Sequence, residues 1–127
     1  MVVTIFVSNM DRAVKFYSEI MGLEIIFRFG EHWAQLKSAD GMTIGLHPAS
    51  KENPAGVKGS MQLGVSVTEP IQKVVDEMKS KGVKFIGPIR DDDQLLFANF
   101  EDPDGNPLYL AEMKQKWGNA DEKSSAA

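Results

Sequence analysis

The chain has 127 residues, of which 43% are hydrophobic and 25% charged, and its formal net charge is −4. This length predicts one compact domain, and the hydrophobic share is sufficient for a core, which excludes a disordered chain. No apolar run approaches the ~20 residues of a membrane-spanning helix, and the acidic balance argues against nucleic acid or anionic membranes as partners. The sequence has no cysteine, which excludes a disulfide framework; with no secretory signal visible, we expect a cytoplasmic protein.

The first half of the sequence has the pattern of a strand, a helix and three further strands. Residues 2–8 are rich in β-branched and aromatic side chains, which are typical of a strand. Asn9 follows directly and predicts a helix N-cap, because its side chain accepts from the first free backbone N–H groups. The helix has an apolar stripe at Ala13, Phe16, Tyr17 and Ile20, and Gly22 is its expected end. Strand patterns then occupy 23–29, 33–38 and 42–47, with a turn at Asp40-Gly41.

The second half repeats this order. A strand pattern at 61–67 precedes a helix that Thr68 or Glu69 is expected to cap, with Pro70 tolerated in the first turn. The apolar stripe of this helix is Ile71, Val74, Val75 and Met78, and Gly82 ends it. Strand patterns follow at 83–87, 95–100 and 107–112. Residues 102–107 are rich in carboxylates, but their Pro, Gly and Asn content predicts a turn rather than a catalytic site.

Matched spacings indicate that the two halves are copies of one module. Gly22 and Gly82 are 60 residues apart, and so are Val7 and Val67. Six further pairs are 64 residues apart, and a longer loop near residues 90–94 accounts for the difference: Trp33/Phe97, Ala34/Ala98, Leu36/Phe100, Asp40/Asp104, Gly41/Gly105 and Leu46/Leu110. We therefore expect one domain over residues 1–113, with module one at 1–47, a Pro/Gly/Ser-rich linker at 48–60, module two at 61–113 and a polar tail at 114–127.

Strand alternation separates a hydrophobic core from a face with mixed chemistry. Aromatic and neutral polar side chains fall on the face opposite the helices, and the candidate ligand-binding residues are Phe6, Trp33, Gln35, His47, Gln62, Phe97, Asn99 and Tyr109. Such a lining suits a small organic ligand, since aromatic surface gives affinity and a few polar groups fix orientation. Trp33 is the residue most expected to stack on a ligand. The alternative is that Trp33 and Phe97 fill the space themselves.

Three segments carry a resemblance to a known family: VSNMDRAVKFYSEIMGLEI (7–25), KSKGVKFIGP (79–88) and FEDPDGNPLYLAE (100–112). With the repeated β-α-β-β-β order, they make the chain similar to the vicinal oxygen chelate superfamily of glyoxalase I, bleomycin-resistance proteins, fosfomycin-resistance enzymes and extradiol dioxygenases. The resemblance implies an α+β fold of two tandem β-α-β-β-β modules, forming a curled mixed sheet with a concave cup and helices on the outer face. It also implies a homodimer, because members commonly pair modules across subunits.

The same resemblance identifies four positions that hold a divalent metal in metal-dependent members. In this sequence they are Val2, Gly45, Gln62 and Tyr109. Valine and glycine offer no donor, glutamine is a weak ligand by itself, and tyrosine near its ordinary pKa of ~10 is rarely a ligand. His47 could join Gln62, but two ligands hold an ion loosely. We therefore expect no metal and no cofactor.

Three functions remain open at this point. The first is a metal-free binding protein of the bleomycin-resistance type, with a small hydrophobic or aromatic compound as its ligand. The second is an enzyme of the glyoxalase-like group that uses a relocated metal, or His47 or Tyr109 as general acid or base. No nucleophile, base and orienting group stand together in the sequence, so its catalytic residues are unknown. The third is an accessory module whose faces are filled by their own aromatic side chains.

Overall fold

A computed structural model describes residues 1–56 and 62–114, which fall into two compact units. Among these residues the first unit contains 1–56 and 102–107, and the second contains 62–101 and 108–114. The expected tail lies outside the described residues except for Lys114, and so does the end of the expected linker. The domain boundaries given above stay a prediction.

Within residues 1–56 and 62–114, each unit has one helical region and four strands. The first has β1 (Val2–Val7), α1 (Met10–Lys15), a π-helical segment (Phe16–Ile20), β2 (Glu24–Phe29), β3 (Trp33–Lys37) and β4 (Thr43–Pro48). The second has β5 (Leu63–Ser66), α2 (Ile71–Ser80), β6 (Phe85–Asp91), β7 (Leu95–Glu101) and β8 (Pro107–Met113). No helix among the described residues is long and apolar enough to cross a membrane.

The two sheets have the same strand order, which confirms the predicted repeat. The orders are β1-β4-β3-β2 and β5-β8-β7-β6. In each sheet the strand before the helix pairs in parallel with the last strand of its unit, whereas β2 with β3 and β6 with β7 are antiparallel. The α+β class with mixed sheets is therefore confirmed.

The first helix begins at the predicted N-cap as an α-helix and continues as a π-helix. The Asn9 side chain accepts from the backbone N–H of Arg12 at 2.9 Å, so Asn9 is the N-cap. The second half is π-helical, and the Met21 N–H donates to the Phe16 carbonyl at 3.0 Å. This widened turn buries both Phe16 and Tyr17. Gly22 follows with φ of 79°, in the left-handed region that glycine enters without strain.

The predicted cap of α2 is wrong. Pro70 occupies the N-cap position, and neither Thr68 nor Glu69 caps the helix. The Ile71 N–H instead donates to the carboxylate of Glu112 on β8, at 2.9 Å. The cap therefore comes from a residue far along the chain, which no local sequence signal indicates.

The core of each unit lies between its helix and one face of its sheet, as strand alternation predicts. Most strand side chains that alternate toward the helix are buried: Ile5, Val7, Ala34, Leu36, Ile44, Leu46, Ala98, Phe100, Leu108 and Leu110. Val3, Leu63 and Val65 are only half-buried.

The turn at 102–107 is fastened by one buried carboxylate. Asp102 accepts from the Tyr17 hydroxyl at 2.8 Å and from the Asn106 side chain at 2.8 Å. Its other oxygen accepts from the backbone N–H groups of Asp104 and Asn106. The structural role predicted for this stretch is confirmed.

Candidate ligand-binding site

The first sheet carries aromatic side chains on the face opposite its helix. Strand register determines this face, because directly paired residues project to the same side. Phe6 pairs with His47, Phe29 with Trp33, Phe27 with Gln35, and Gln35 with Gly45. We call the face the first open face, formed by Phe6, Phe27, Phe29, Trp33, Gln35, Gly45 and His47.

Four of these side chains, one from each strand, occupy neighbouring paired positions across the sheet. Phe6 on β1, His47 on β4, Trp33 on β3 and Phe29 on β2 make up what we call the aromatic row. The ring centroids of Phe6 and His47 are 5.7 Å apart, and those of Trp33 and His47 are 6.2 Å apart, both edge-on. Phe27 lies two residues before Phe29 on β2, and the two ring centroids are 5.2 Å apart. These separations are favourable for aromatic contacts.

The indole of Trp33 lies directly on the backbone of β4. A Cβ built at Gly45 would overlap the six-membered ring of the indole. The Trp33 Nε1–H donates to Oε1 of Gln35 at 3.3 Å, which holds the ring in this orientation. Trp33 is half-buried, so part of its surface stays available to a ligand.

His47 presents one unprotonated ring nitrogen if its ring is neutral. Its Nδ1 lies 2.8 Å from the Pro48 carbonyl oxygen. A carbonyl only accepts, so Nδ1 carries the hydrogen and the neutral imidazole has its lone pair on Nε2. The residue is exposed, and this atom is therefore able to accept a hydrogen bond or a proton from a bound molecule.

Phe27 and Phe29 were not among the predicted site residues. A bulge in the register between Ile25 and Phe27 places Ile25 opposite Leu36 on the core side and both phenylalanines on the open face. Phe29 is 64% exposed and Phe27 38% exposed. Two phenylalanines at alternate positions of one strand were the available signal, but the face they occupy depends on the bulge.

The second sheet has a more polar face. The Gln62 side-chain amide donates to Asn99 Oδ1 at 3.0 Å and to the Leu108 carbonyl at 3.3 Å. The phenol of Tyr109 lies over Gly64, where a Cβ would overlap it. The Arg90 guanidinium stands 5.8 Å from the centre of the Phe97 ring, a cation–π contact. We call this the second open face, formed by Gln62, Gly64, Arg90, Phe97, Asn99 and Tyr109.

The predicted site residues thus fall into two groups. Phe6, Trp33, Gln35 and His47 meet on the first open face, and Gln62, Phe97, Asn99 and Tyr109 belong to the second.

Tyr17, which the sequence indicated only as a core residue, is buried against Asp102, and this burial raises its pKa well above the ordinary value. The nearby Asp102 charge raises it further.

The four metal positions do not fit a metal. Val2 has no donor atom, and the space above Gly45 is taken by the Trp33 indole. Gln62 is engaged with Asn99, and Tyr109 lies over Gly64. Within residues 1–56 and 62–114, no group of three or more His, Cys, Asp or Glu side chains is arranged to hold an ion.

Comparison with known proteins identifies the family. The model of the Glyoxalase/Bleomycin resistance protein/Dioxygenase superfamily matches residues 2–110. The chain belongs to this superfamily, and the resemblance drawn from its motifs is confirmed.

Relatives within this fold have different activities. The uncharacterized protein YetH of Bacillus subtilis (strain 168) is 28% identical over 122 residues, covering 87% of this chain and 94% of that protein. TnmS3, an antibiotic binding protein from Streptomyces sp. CB03234, has a TM-score of 0.75 at 24% identity, covering 89% of this chain and 93% of its own. A lactoylglutathione lyase from Agrobacterium tumefaciens has a TM-score of 0.70 at 17% identity, with coverage of 88% and 91%. A binder and a lyase share the fold, so the fold alone does not choose between binding and catalysis.

Proposed function

We propose that this protein binds a small organic compound with aromatic surface on its first open face, without a metal, as a cytoplasmic homodimer. The observation that supports the proposal most strongly is the aromatic row, with one ring from each of four strands. The partly exposed rings offer apolar contact area, and His47 Nε2 offers one acceptor that can orient a ligand. The fold likeness to an antibiotic binding protein agrees with this function.

The four metal positions support the metal-free part of the proposal. Metal-dependent members of the family need donors that converge on one ion, whereas here the Trp33 indole covers Gly45. The Trp33 indole occupies the space that a metal-binding side chain at residue 45 would need, and the same indole belongs to the aromatic row.

The test is native mass spectrometry on protein purified without chelator, followed by exposure to zinc, nickel and manganese. We expect a dimer that carries an organic compound or none, and whose mass does not change with added metal. The recovered compound is then titrated against wild type and Trp33→Ala, with Met42→Ala as the control because Met42 is an exposed apolar side chain of the same unit outside the row. Stoichiometric, chelator-sensitive metal would contradict the proposal.

The expected effect of Trp33→Ala is a loss of affinity without unfolding. Removing one stacked indole weakens binding by about tenfold, since an aromatic contact contributes ~0.5–1.5 kcal/mol beyond its buried area. Met42→Ala should bind as wild type. Equal affinity in wild type and Trp33→Ala would contradict the role of the row.

A second candidate function is acid–base catalysis, and the hydrogen bond of His47 favours it. With Nδ1–H held by the Pro48 carbonyl, Nε2 is the basic atom on the open face. Turnover of the glutathione hemithioacetal, with and without added nickel, zinc or manganese, tests this candidate. Activity that is lost in His47→Gln would favour an enzyme, whereas turnover that persists in this variant would exclude His47 as the base.

A further inference from the structure

Two Asp-Gly turns occupy matched positions of the two modules. Asp40-Gly41 lies between β3 and β4, and Asp104-Gly105 lies between β7 and β8. In each turn the glycine N–H donates to the carbonyl of the residue three positions earlier, at 3.0 Å for Gly41 and 2.9 Å for Gly105. The φ angles of these glycines are also similar, 95° and 86°. The turns therefore share a backbone arrangement, and they differ in what surrounds the aspartate side chain.

Both carboxylate oxygens of Asp104 are held by residues outside its turn. Oδ2 accepts from the Ser8 backbone N–H at 3.0 Å, and Oδ1 accepts from the Ser8 hydroxyl and, at 3.1 Å, from Arg12 Nη2. The side chain of Asp104 is only 6% exposed. The loss of either oxygen from this carboxyl group would therefore break at least one hydrogen bond to Ser8 or Arg12.

The Asp40 carboxylate has different surroundings. Within the part of the chain that the structure describes, its hydrogen bonds stay inside its own turn: Oδ1 accepts from the Ser38 hydroxyl and, at 3.4 Å, from the Met42 backbone N–H. A hydrogen bond to the N–H two residues ahead folds an aspartate side chain toward the backbone that lies between. Here that backbone belongs to Gly41, which is exposed, and a Cβ built on it would meet nothing within 4 Å.

We propose that Asp40 is a site of spontaneous conversion to isoaspartate and that Asp104 is protected from the same reaction by Ser8 and Arg12. In the first step the Gly41 nitrogen bonds to Cγ of the neutral Asp40 carboxyl group. One carboxyl oxygen leaves as water with the carboxyl proton and the N–H proton, which gives a five-membered succinimide. In the second step water adds to the α-carbonyl carbon of residue 40 and breaks its bond to the Gly41 nitrogen, which regains a proton.

The product has the same mass as the original chain, and water is the only co-reactant. Its peptide bond runs through the side-chain carbonyl of residue 40, and the α-carboxylate of this residue is free. The backbone of the turn between β3 and β4 is thereby longer by one methylene group. The inference goes beyond the proposed function and does not depend on it.

Peptide mapping of aged protein tests the proposal. The Ser38 hydroxyl, and then the Met42 N–H, lowers the pKa of the Asp40 carboxyl group, so the folded protein is aged in mildly acidic buffer to populate its neutral form. Trypsin then releases residue 40 in peptide 38–51 and residue 104 in peptide 91–114. Chromatography separates the isomers of each peptide, and fragmentation in the mass spectrometer assigns the isoaspartate to a residue.

The folded protein should show a clear difference between the two sites. We expect Asp40 to convert at least about tenfold faster than Asp104, since the loss of one hydrogen bond to a charged group is enough for a tenfold difference in rate. In urea-unfolded protein the two rates should be similar, because both residues precede glycine and neither is held. Asp40→Glu is the control, because its longer side chain does not form the five-membered ring, and its peptide 38–51 should stay in one form.

A matched pair of changes tests the protection of Asp104. Ser8→Ala combined with Arg12→Ala removes both side chains that hold its carboxylate, so conversion at Asp104 should rise by about tenfold while conversion at Asp40 keeps its wild-type rate. If this variant does not fold, the comparison of folded and unfolded wild type still decides. No isoaspartate at Asp40, or a ratio of the two rates that is the same in folded and unfolded protein, would overturn the proposal.

Discussion

Single side chains determine what each open face can contact. The indole of Trp33 packs against β4 because residue 45 is glycine, and Tyr109 lies over Gly64 for the same steric reason. In the first unit the ring comes from β3 and the glycine from β4, whereas in the second the ring comes from β8 and the glycine from β5. The two modules thus reach a similar ring-on-glycine contact from different strands.

The Tyr17–Asp102 hydrogen bond predicts an alkaline loss of stability. Burial, and then the charge of Asp102, raises the pKa of Tyr17 above that in the unfolded chain, so the folded state favours the neutral phenol. Its contribution is complete below pH ~10 and is lost as pH rises through the folded pKa. In urea unfolding at several pH values, wild type should lose stability above pH ~10 more steeply than Tyr17→Phe.

The same variant has an expected cost at neutral pH. Tyr17→Phe should lower the free energy of unfolding by about 1–2 kcal/mol, because a buried carboxylate loses one of its donors. Equal alkaline slopes for wild type and Tyr17→Phe would contradict the assignment of the pKa shift to this phenol.

At the scale of elements, the two helices begin in different ways. Asn9 caps α1 with its own side chain, whereas α2 receives its acceptor from Glu112 on a strand of the same unit. A carboxylate at this end of a helix is stabilising, since the first N–H groups carry partial positive charge. The contact also fastens α2 to its sheet.

A pair of variants distinguishes the predicted cap from the observed one. Glu112→Ala should destabilise the protein by about 1 kcal/mol, the usual effect of losing a cap. Glu69→Ala should cost no more than about 0.5 kcal/mol, since the pair of Glu69 with Lys73 across one helical turn is exposed. Thermal or urea unfolding of the two variants measures the difference, and a larger loss in Glu69→Ala would contradict the structure.

The sequence did not indicate which side chains of the edge strand β2 lie on the open face. Its bulge turns Phe27 and Phe29 to the open face and Ile25 to the core side. Residue patterns predicted the strand itself, because aromatic and β-branched side chains are typical of strands. The same patterns did not predict the bulge, because strand alternation assumes a regular register. The bulge depends on how β2 pairs with β3.

At the scale of the whole molecule, a matching strand order in both units and the family model establish the superfamily. Assembly remains a prediction of that membership. Native mass spectrometry should show a species of twice the 14.0 kDa chain mass, and its dimer fraction should increase with protein concentration. A monomer at all concentrations would contradict the homodimer.

We also expect that the thermal stability of the protein does not depend on a bound metal. Because Val2 and Gly45 have no donors and Gln62 pairs with Asn99, chelator treatment should leave the Tm unchanged. Thermal unfolding before and after dialysis against chelator measures this, with the dialysed protein re-exposed to zinc as the comparison. A chelator-induced fall in Tm that zinc reverses would contradict it.

The sequence by itself determined the elements, their repeat and the family, because these depend on local residue patterns. Apolar periodicity indicated the helices, Asn9 and Gly22 marked the ends of the first one, and alternation identified Phe6, Trp33 and His47 as one face. Only the tertiary structure decided which strands neighbour each other, where β2 bulges, which residue caps α2, and that Trp33 covers Gly45. These features come from contacts between residues that are distant in the chain, and no local pattern encodes the distance or orientation of such contacts.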